Sequence, residues 1–174
     1  MKDEPDRVRS PAAADATATP GSCSGRSGRL PAGPDAPRPR RRTPMIYLDS
    51  AAVIKLAHAE PESPALRAWL NERAETGWIS SVLVEIESFR ALARYAPEAV
   101  TRLHPVLDQI DLIDMTPRVR ILAQTVRPVT VPSLDAIHLG TALSIRRNLT
   151  SFVTYDKRLL DAVTAAGLIA DSPA

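Results

Sequence analysis

MIYLDSAA, residues 45–52, sets a short run of strand-forming residues against an aspartate and then against small helix formers. Ile46–Leu48 reads as an apolar strand and Ser50–Ala57 as a helix following it directly, with Asp49 at the joint. The same alternation recurs downstream. Strands are expected at Gly77–Ser80, Ile110–Ile113, Ser151–Thr154 and Leu168–Ala170. Helices are expected at Pro61–Arg73, Val82–Tyr95, Pro97–Gln109, Pro117–Val126, Ser133–Arg147 and Lys157–Ala166, the one before last capped by Ser133 and the last closed by Gly167. On Val82–Tyr95 the apolar residues Val82, Ile86, Phe89 and Ala93 form one stripe. Strands alternating with helices imply an α/β class with a parallel sheet covered on both faces.

Upstream of this unit the composition changes. Residues 1–44 hold eight of the sixteen prolines, four of the seven glycines, nine Lys+Arg and five Asp+Glu. Such a stretch lacks the apolar surface to offset the entropy of ordering it, so it is expected to be a disordered Pro/Arg-rich extension, with Met45 the native beginning. The remaining 130 residues carry 13 basic and 15 acidic groups, a net of −2, against +2 for the whole chain. The positive balance therefore belongs to the extension, and the folded part is not a basic nucleic-acid binder by charge. The single cysteine, Cys23, leaves no intramolecular disulfide and no cysteine metal site. With neither a secretory signal nor an apolar run of membrane length, the expectation is a soluble, cytoplasmic protein.

Carboxylates gather at the ends of these elements. Asp49 follows the first strand, Asp156 follows the strand in FVTYD, and Asp135 lies in the first turn of a helix, SLDAIHLGTALSI, that is apolar almost all round. Glu85 and Glu87 lie in the helix after the second strand. Taken singly, Asp49 and Asp156 read equally as helix N-caps and Asp135 as a dipole partner. Taken together, they crowd the carboxyl end of the sheet, where open parallel sheets bind ligands. A carboxylate on a buried helix needs a compensating charge, and oxygen donors without cysteine suit a hard divalent cation, Mg²⁺ or Mn²⁺. His138, on the Asp135 stripe, is read as a packed, hydrogen-bonded structural residue. Asp108, Asp111 and Asp114 are read as solvated. No glycine-rich phosphate loop follows any strand, which counts against a nucleotide-binding domain.

Four stretches, MIYLDSAAVIKL, ISSVLVEIESFRAL, SLDAIHLGTAL and FVTYDKRLLDA, resemble in order those of PIN-domain ribonucleases, specifically the VapC-type toxins of toxin–antitoxin pairs. The resemblance runs from Met45 to about Gly167. It implies a three-layer α/β/α sandwich with a short, mostly parallel central sheet over residues 45–174. It further implies a Mg²⁺- or Mn²⁺-dependent endoribonuclease that hydrolyses RNA phosphodiesters, with frequent homodimerisation and inhibition by a cognate antitoxin in a larger assembly. Carried over by position, Asp49, Asp135 and Asp156 match the first, third and fourth acidic residues of the metal site. Glu87, framed by Ser81 and Arg90, matches the second, with Glu85 as runner-up. Ser50 and Thr154 match supporting hydroxyls, and Arg90 is expected to orient Glu87 or touch RNA. Arg90, Arg94, Arg146 and Arg147 are the expected basic rim for substrate phosphates. A catalytically silent module of the same fold, and another metal-dependent phosphoesterase, are the alternatives.

Overall fold

The computed structural model describes residues 43–174. The expectation of a disordered extension over residues 1–44 falls, apart from its last two residues, outside them. Five strands form one parallel sheet in the order β3-β2-β1-β4-β5. They are β1 (Met45–Leu48), β2 (Gly77–Ser81), β3 (Ile110–Ile113), β4 (Leu149–Val153) and β5 (Ala170–Asp171). All are parallel, so the sheet is stricter than the mostly parallel one expected. β1 is central, pairing Ile46 with Trp78 on one side and with Ser151 on the other, and all four of its residues are buried.

Alternation along β1 divides the core. Ile46 and Leu48 face one layer of helices, packing with Leu56, Leu66, Leu70, Val84, Leu92 and Leu103. Tyr47 faces the other, packing with Phe152, Leu139, Leu159 and Val163, its ring stacked on Phe152 at 4.6 Å between centroids. The first layer comprises α1 (Ser50–Ala57), α2 (Ser63–Asn71), α3 (Leu83–Tyr95) and α4 (Val100–Leu107). The second comprises α5 (Pro117–Thr125), α6 (Ser133–Ser144) and α7 (Lys157–Ala165). The result is a three-layer α/β/α sandwich.

Four local readings are corrected. The expected helix Pro97–Gln109 opens as a 3₁₀ turn, Pro97–Ala99, before α4 begins. Ser133 is the first residue of α6 and not its cap; Pro132 occupies the cap position and offers no side-chain acceptor. That helix ends at Ser144, so Arg146 and Arg147 lie beyond it and immediately precede β4. On α3 the buried residues are Val84, Ser88 and Leu92. The apolar stripe read from the sequence faces outward instead, with Ile86 59% and Phe89 47% exposed. Two apolar stripes share this helix, and only the one in register with Leu66 and Leu103 meets the core.

Candidate active site

Parallel strands direct their carboxyl ends, and the N-termini of the helices that follow, to one edge of the sheet. Asp49 sits there between β1 and α1. Its Oδ1 accepts from the Ala52 amide at 2.8 Å, capping the helix, and its Oδ2 accepts from the Thr154 hydroxyl. Asp156 begins α7 in the same way, its Oδ1 accepting from the amides of Arg158 (2.8 Å) and Leu159 (3.1 Å). Both aspartates are therefore helix caps, as the structural reading held. The cap role also fixes where their carboxylates lie.

Glu87 reaches this edge from α3. Its Oε2 accepts from the Ser50 hydroxyl and lies 2.7 Å from His138 Nε2. Glu85, two residues earlier, is exposed. Of the two glutamates weighed from the sequence, Glu87 is the one the helix turns toward Ser50. Arg90 forms no ion pair with it among the described residues and is exposed; Ser50 and His138 hold the carboxylate in its place. Asp135, in the first turn of α6, is partly buried.

The charges register one another. Burial pushes the Asp49 carboxyl up to about 6, against hydrogen bonds from Thr154 and Ala52 that pull it down, and Asp135 adds repulsion. Burial also raises Asp135, and the like charges of Asp156 and Glu87 raise it further. Burial works to raise Glu87 too, yet the hydrogen bonds from His138 and Ser50 outweigh it and hold that carboxyl below the ordinary range. The four carboxylates thus share one electrostatic neighbourhood centred on Asp135.

Among the described residues, no three His, Cys, Asp or Glu side chains stand close enough to hold a metal ion directly. The donor set fits a hard divalent cation in chemistry and charge: oxygen donors only, mutually repelling, with two of them raised by burial. Such cations keep several waters and need only one or two direct carboxylates. The fit is therefore one of charge and donor chemistry, and not a closed cage.

The basic rim expected from Arg146 and Arg147 fails on position. Arg146 and Arg147 precede β4 and lie at the opposite end of the strands from Asp49. There they line, with Arg118, Met45 and Asn148, a cavity of about 750 Å³; they are not part of the rim around the carboxylates. His138 is buried and hydrogen-bonded, as read, but its partners are Tyr47 and the site residues Glu87 and Ser50. The signal was present in the i, i+3 spacing of Asp135 and His138. Lys55, which no sequence motif marks, is buried and paired with Glu60 (2.5 Å) and Glu62 (2.7 Å).

The comparisons with known proteins agree on one family. The PIN domain matches residues 46–165. Ribonuclease VapC47 of Mycobacterium tuberculosis (strain CDC 1551 / Oshkosh) is 43% identical over 132 residues, covering 74% of this chain and 97% of that relative. Ribonuclease VapC46 of Mycobacterium tuberculosis (strain ATCC 25618 / H37Rv) is 40% identical over 128 residues, with the same coverage. Among solved structures, VapBC2 from Rickettsia felis, bound to a DNA fragment from its promoter, superposes with a TM-score of 0.60 at 13% identity. It covers 75% of this chain and 99% of that one. VapC20 of Mycobacterium tuberculosis, a sarcin-ricin-loop-cleaving toxin, superposes at 0.57 with 18% identity, covering 74% and 99%.

Proposed function

This chain belongs to the PIN-domain family, and from that premise we propose that it is a divalent-metal-dependent endoribonuclease, the toxin of a toxin–antitoxin pair. The observation that carries the reading is the gathering of Asp49, Glu87, Asp135 and Asp156 from four separate elements, with Asp156 and Glu87 acting on Asp135 as like charges and Asp135 acting so on the buried Asp49. A group of charges that repel one another is costly unless a cation joins them. Mg²⁺ or Mn²⁺, when bound, supplies the Lewis acidity that activates water and stabilises charge on the phosphate and leaving oxygen. The protein's part is to hold the donors: Thr154 fixes Asp49, Ser50 fixes Glu87, and the two helix caps fix the backbone beneath Asp49 and Asp156.

Substrate phosphates are repelled by this cluster without a cation, so RNA affinity rests on the ion and on basic side chains at the same end. Arg158 lies 3.8 Å from Asp156 and is exposed, and Arg90 and Arg94 are exposed on α3. The outward apolar face of α3, with Ile86, Phe89 and Tyr95 exposed, suits a protein partner, an antitoxin or a second copy of the chain. Among the described residues no helix is long and apolar enough to cross a membrane. A ribonuclease toxin works where RNA is, in the cytoplasm.

A second reading, a catalytically silent module, draws on the double role of Asp49 and Asp156 as caps. Induced expression separates the two. A toxin arrests growth, and Asp135→Asn relieves the arrest at equal protein level. Arrest that persists undiminished in that variant contradicts the proposal.

A further inference from the structure

Tyr47 is wholly buried and belongs to the core face of β1, yet its hydroxyl is committed at both ends. It accepts from the Ser81 amide at 3.1 Å and lies 2.8 Å from His138 Nδ1. Burial pushes the phenol far above its ordinary range, so it keeps its proton. A backbone N–H can only donate, so the phenol oxygen accepts from Ser81 and keeps its own proton to give, and His138 Nδ1 stands 2.8 Å away to receive it. An imidazole that accepts at Nδ1 carries its proton on Nε2, and Nε2 is the atom 2.7 Å from Glu87 Oε2. In that tautomer all the donors point one way, from the Ser81 amide through Tyr47 and His138 to the carboxylate.

This chain of bonds has consequences for Glu87. Its Oε2 takes two donors, Ser50 and His138, while Oε1 has no hydrogen-bond partner among the described residues. A glutamate has three rotatable bonds and, on a partly exposed helix face, would sample several rotamers. Two donors converging on one oxygen select a single rotamer, and the ring is itself fixed by its contact with Tyr47, edge-on at 5.9 Å between centroids. Asp135 and His138 share a helix, so the same element supplies one carboxylate and positions another.

We infer that His138 is a positioning residue: locked by Tyr47 as the Nε2–H tautomer, it pins one oxygen of Glu87 and leaves the other for the ion or its water. This rests on the functional reading above and adds to it a route from the sheet core to the site. Partners of this kind, which orient a ligand without touching the metal, typically govern metal affinity or activity by about 10–100-fold.

The test uses the full chain, with Mn²⁺ alone as the probe. Calorimetric titration should show Mn²⁺ affinity reduced about tenfold or more in His138→Ala. His138→Gln, whose amide can still donate to Glu87, should recover most of that loss, and Tyr47→Phe should fall between. Long-range proton–nitrogen NMR of the unchanged chain should show the His138 ring protonated on Nε2, with Nδ1 an acceptor. Tyr47→Phe should shift the Nδ1 resonance without unfolding the chain. A ring protonated on Nδ1 alone overturns the inference, as does equal Mn²⁺ affinity in the chain and in Tyr47→Phe. Should His138→Ala fail to fold, Tyr47→Phe and the ring spectrum decide. If the unchanged chain binds no Mn²⁺, the functional reading fails, and the ring spectrum still judges the relay.

Discussion

The hydroxyl of Thr154, just past β4, donates to Oδ2 of the buried Asp49, just past β1, and accepts from the Asp156 amide at 3.1 Å. One side chain thus ties the Asp49 carboxylate to the backbone of Asp156 across neighbouring strands. Thr154→Val keeps the shape and removes the donor, leaving Asp49 with a single hydrogen bond in a buried place. The expected outcome is a stability loss of about 1–3 kcal/mol in urea unfolding and a cleavage rate reduced about 10–100-fold. Thr154→Ser, which keeps the hydroxyl, should retain most of both.

Asp49 also sets a pH dependence. Its carboxyl titrates at about 6 in the folded chain, raised by burial from 3.8, so between those values the folded state holds a proton that the unfolded state has lost. Stability from this group is present below pH 4 and is lost as pH rises through 6. Comparing denaturant unfolding of the unchanged chain and Asp49→Asn, without divalent cations, should show the variant gaining on the order of 1–3 kcal/mol relative to the parent between pH 4 and pH 7. A constant difference across that range would contradict the assignment.

The same linkage predicts how metal acts. Cation binding needs the carboxylates ionised, so 10 mM Mg²⁺ (about the upper end of ordinary assay concentrations) should raise the melting temperature more at pH 7.5 than at pH 5. Differential scanning calorimetry reads this directly. Glu87→Gln should reduce the shift at pH 7.5, and Glu85→Gln, altering an exposed side chain, should leave it as in the parent.

Gly140 gives a test of packing away from the site. A methyl there would stand 2.7 Å from the Ala123 amide nitrogen and 2.9 Å from its Cα, both backbone atoms of the facing helix α5. Backbone cannot step aside as a side-chain tip can, so Gly140→Ala should destabilise by about 1–3 kcal/mol, despite the better helix propensity of alanine. Thermal unfolding measures it. A gain in stability would show that α5 and α6 are not held this closely.

Much of this was legible in the amino-acid chain because local rules and tertiary demands coincide. MIYL reads as a covered strand and is one; SLDAIHLGTAL reads as a buried helix and packs with His138, Leu139 and Gly140 buried. The α3 face was misread because periodicity identifies an apolar stripe but not which of two stripes meets the core. Val84, Ser88 and Leu92 include a serine, which weakened their pattern, while Ile86 and Phe89 strengthened the wrong one. Arg146 and Arg147 lie past the last turn of α6, the end opposite Asp135 in its first turn, so the direction of the helix carries them to the far edge of the sheet. Hydrogen bonds such as Tyr47 to His138 join residues 91 positions apart, and no local pattern announces them.

In the proposed function the gathered carboxylates serve a metal-dependent cleavage of RNA. The most direct measurement incubates the purified chain and its Asp49→Asn variant with an RNA pool, with Mg²⁺ or Mn²⁺ and with chelator. Discrete cleavage products are expected from the unchanged chain with metal, and none with chelator or from the variant. Equal cleavage by both proteins, or no cleavage by the unchanged chain with either metal, would contradict that function.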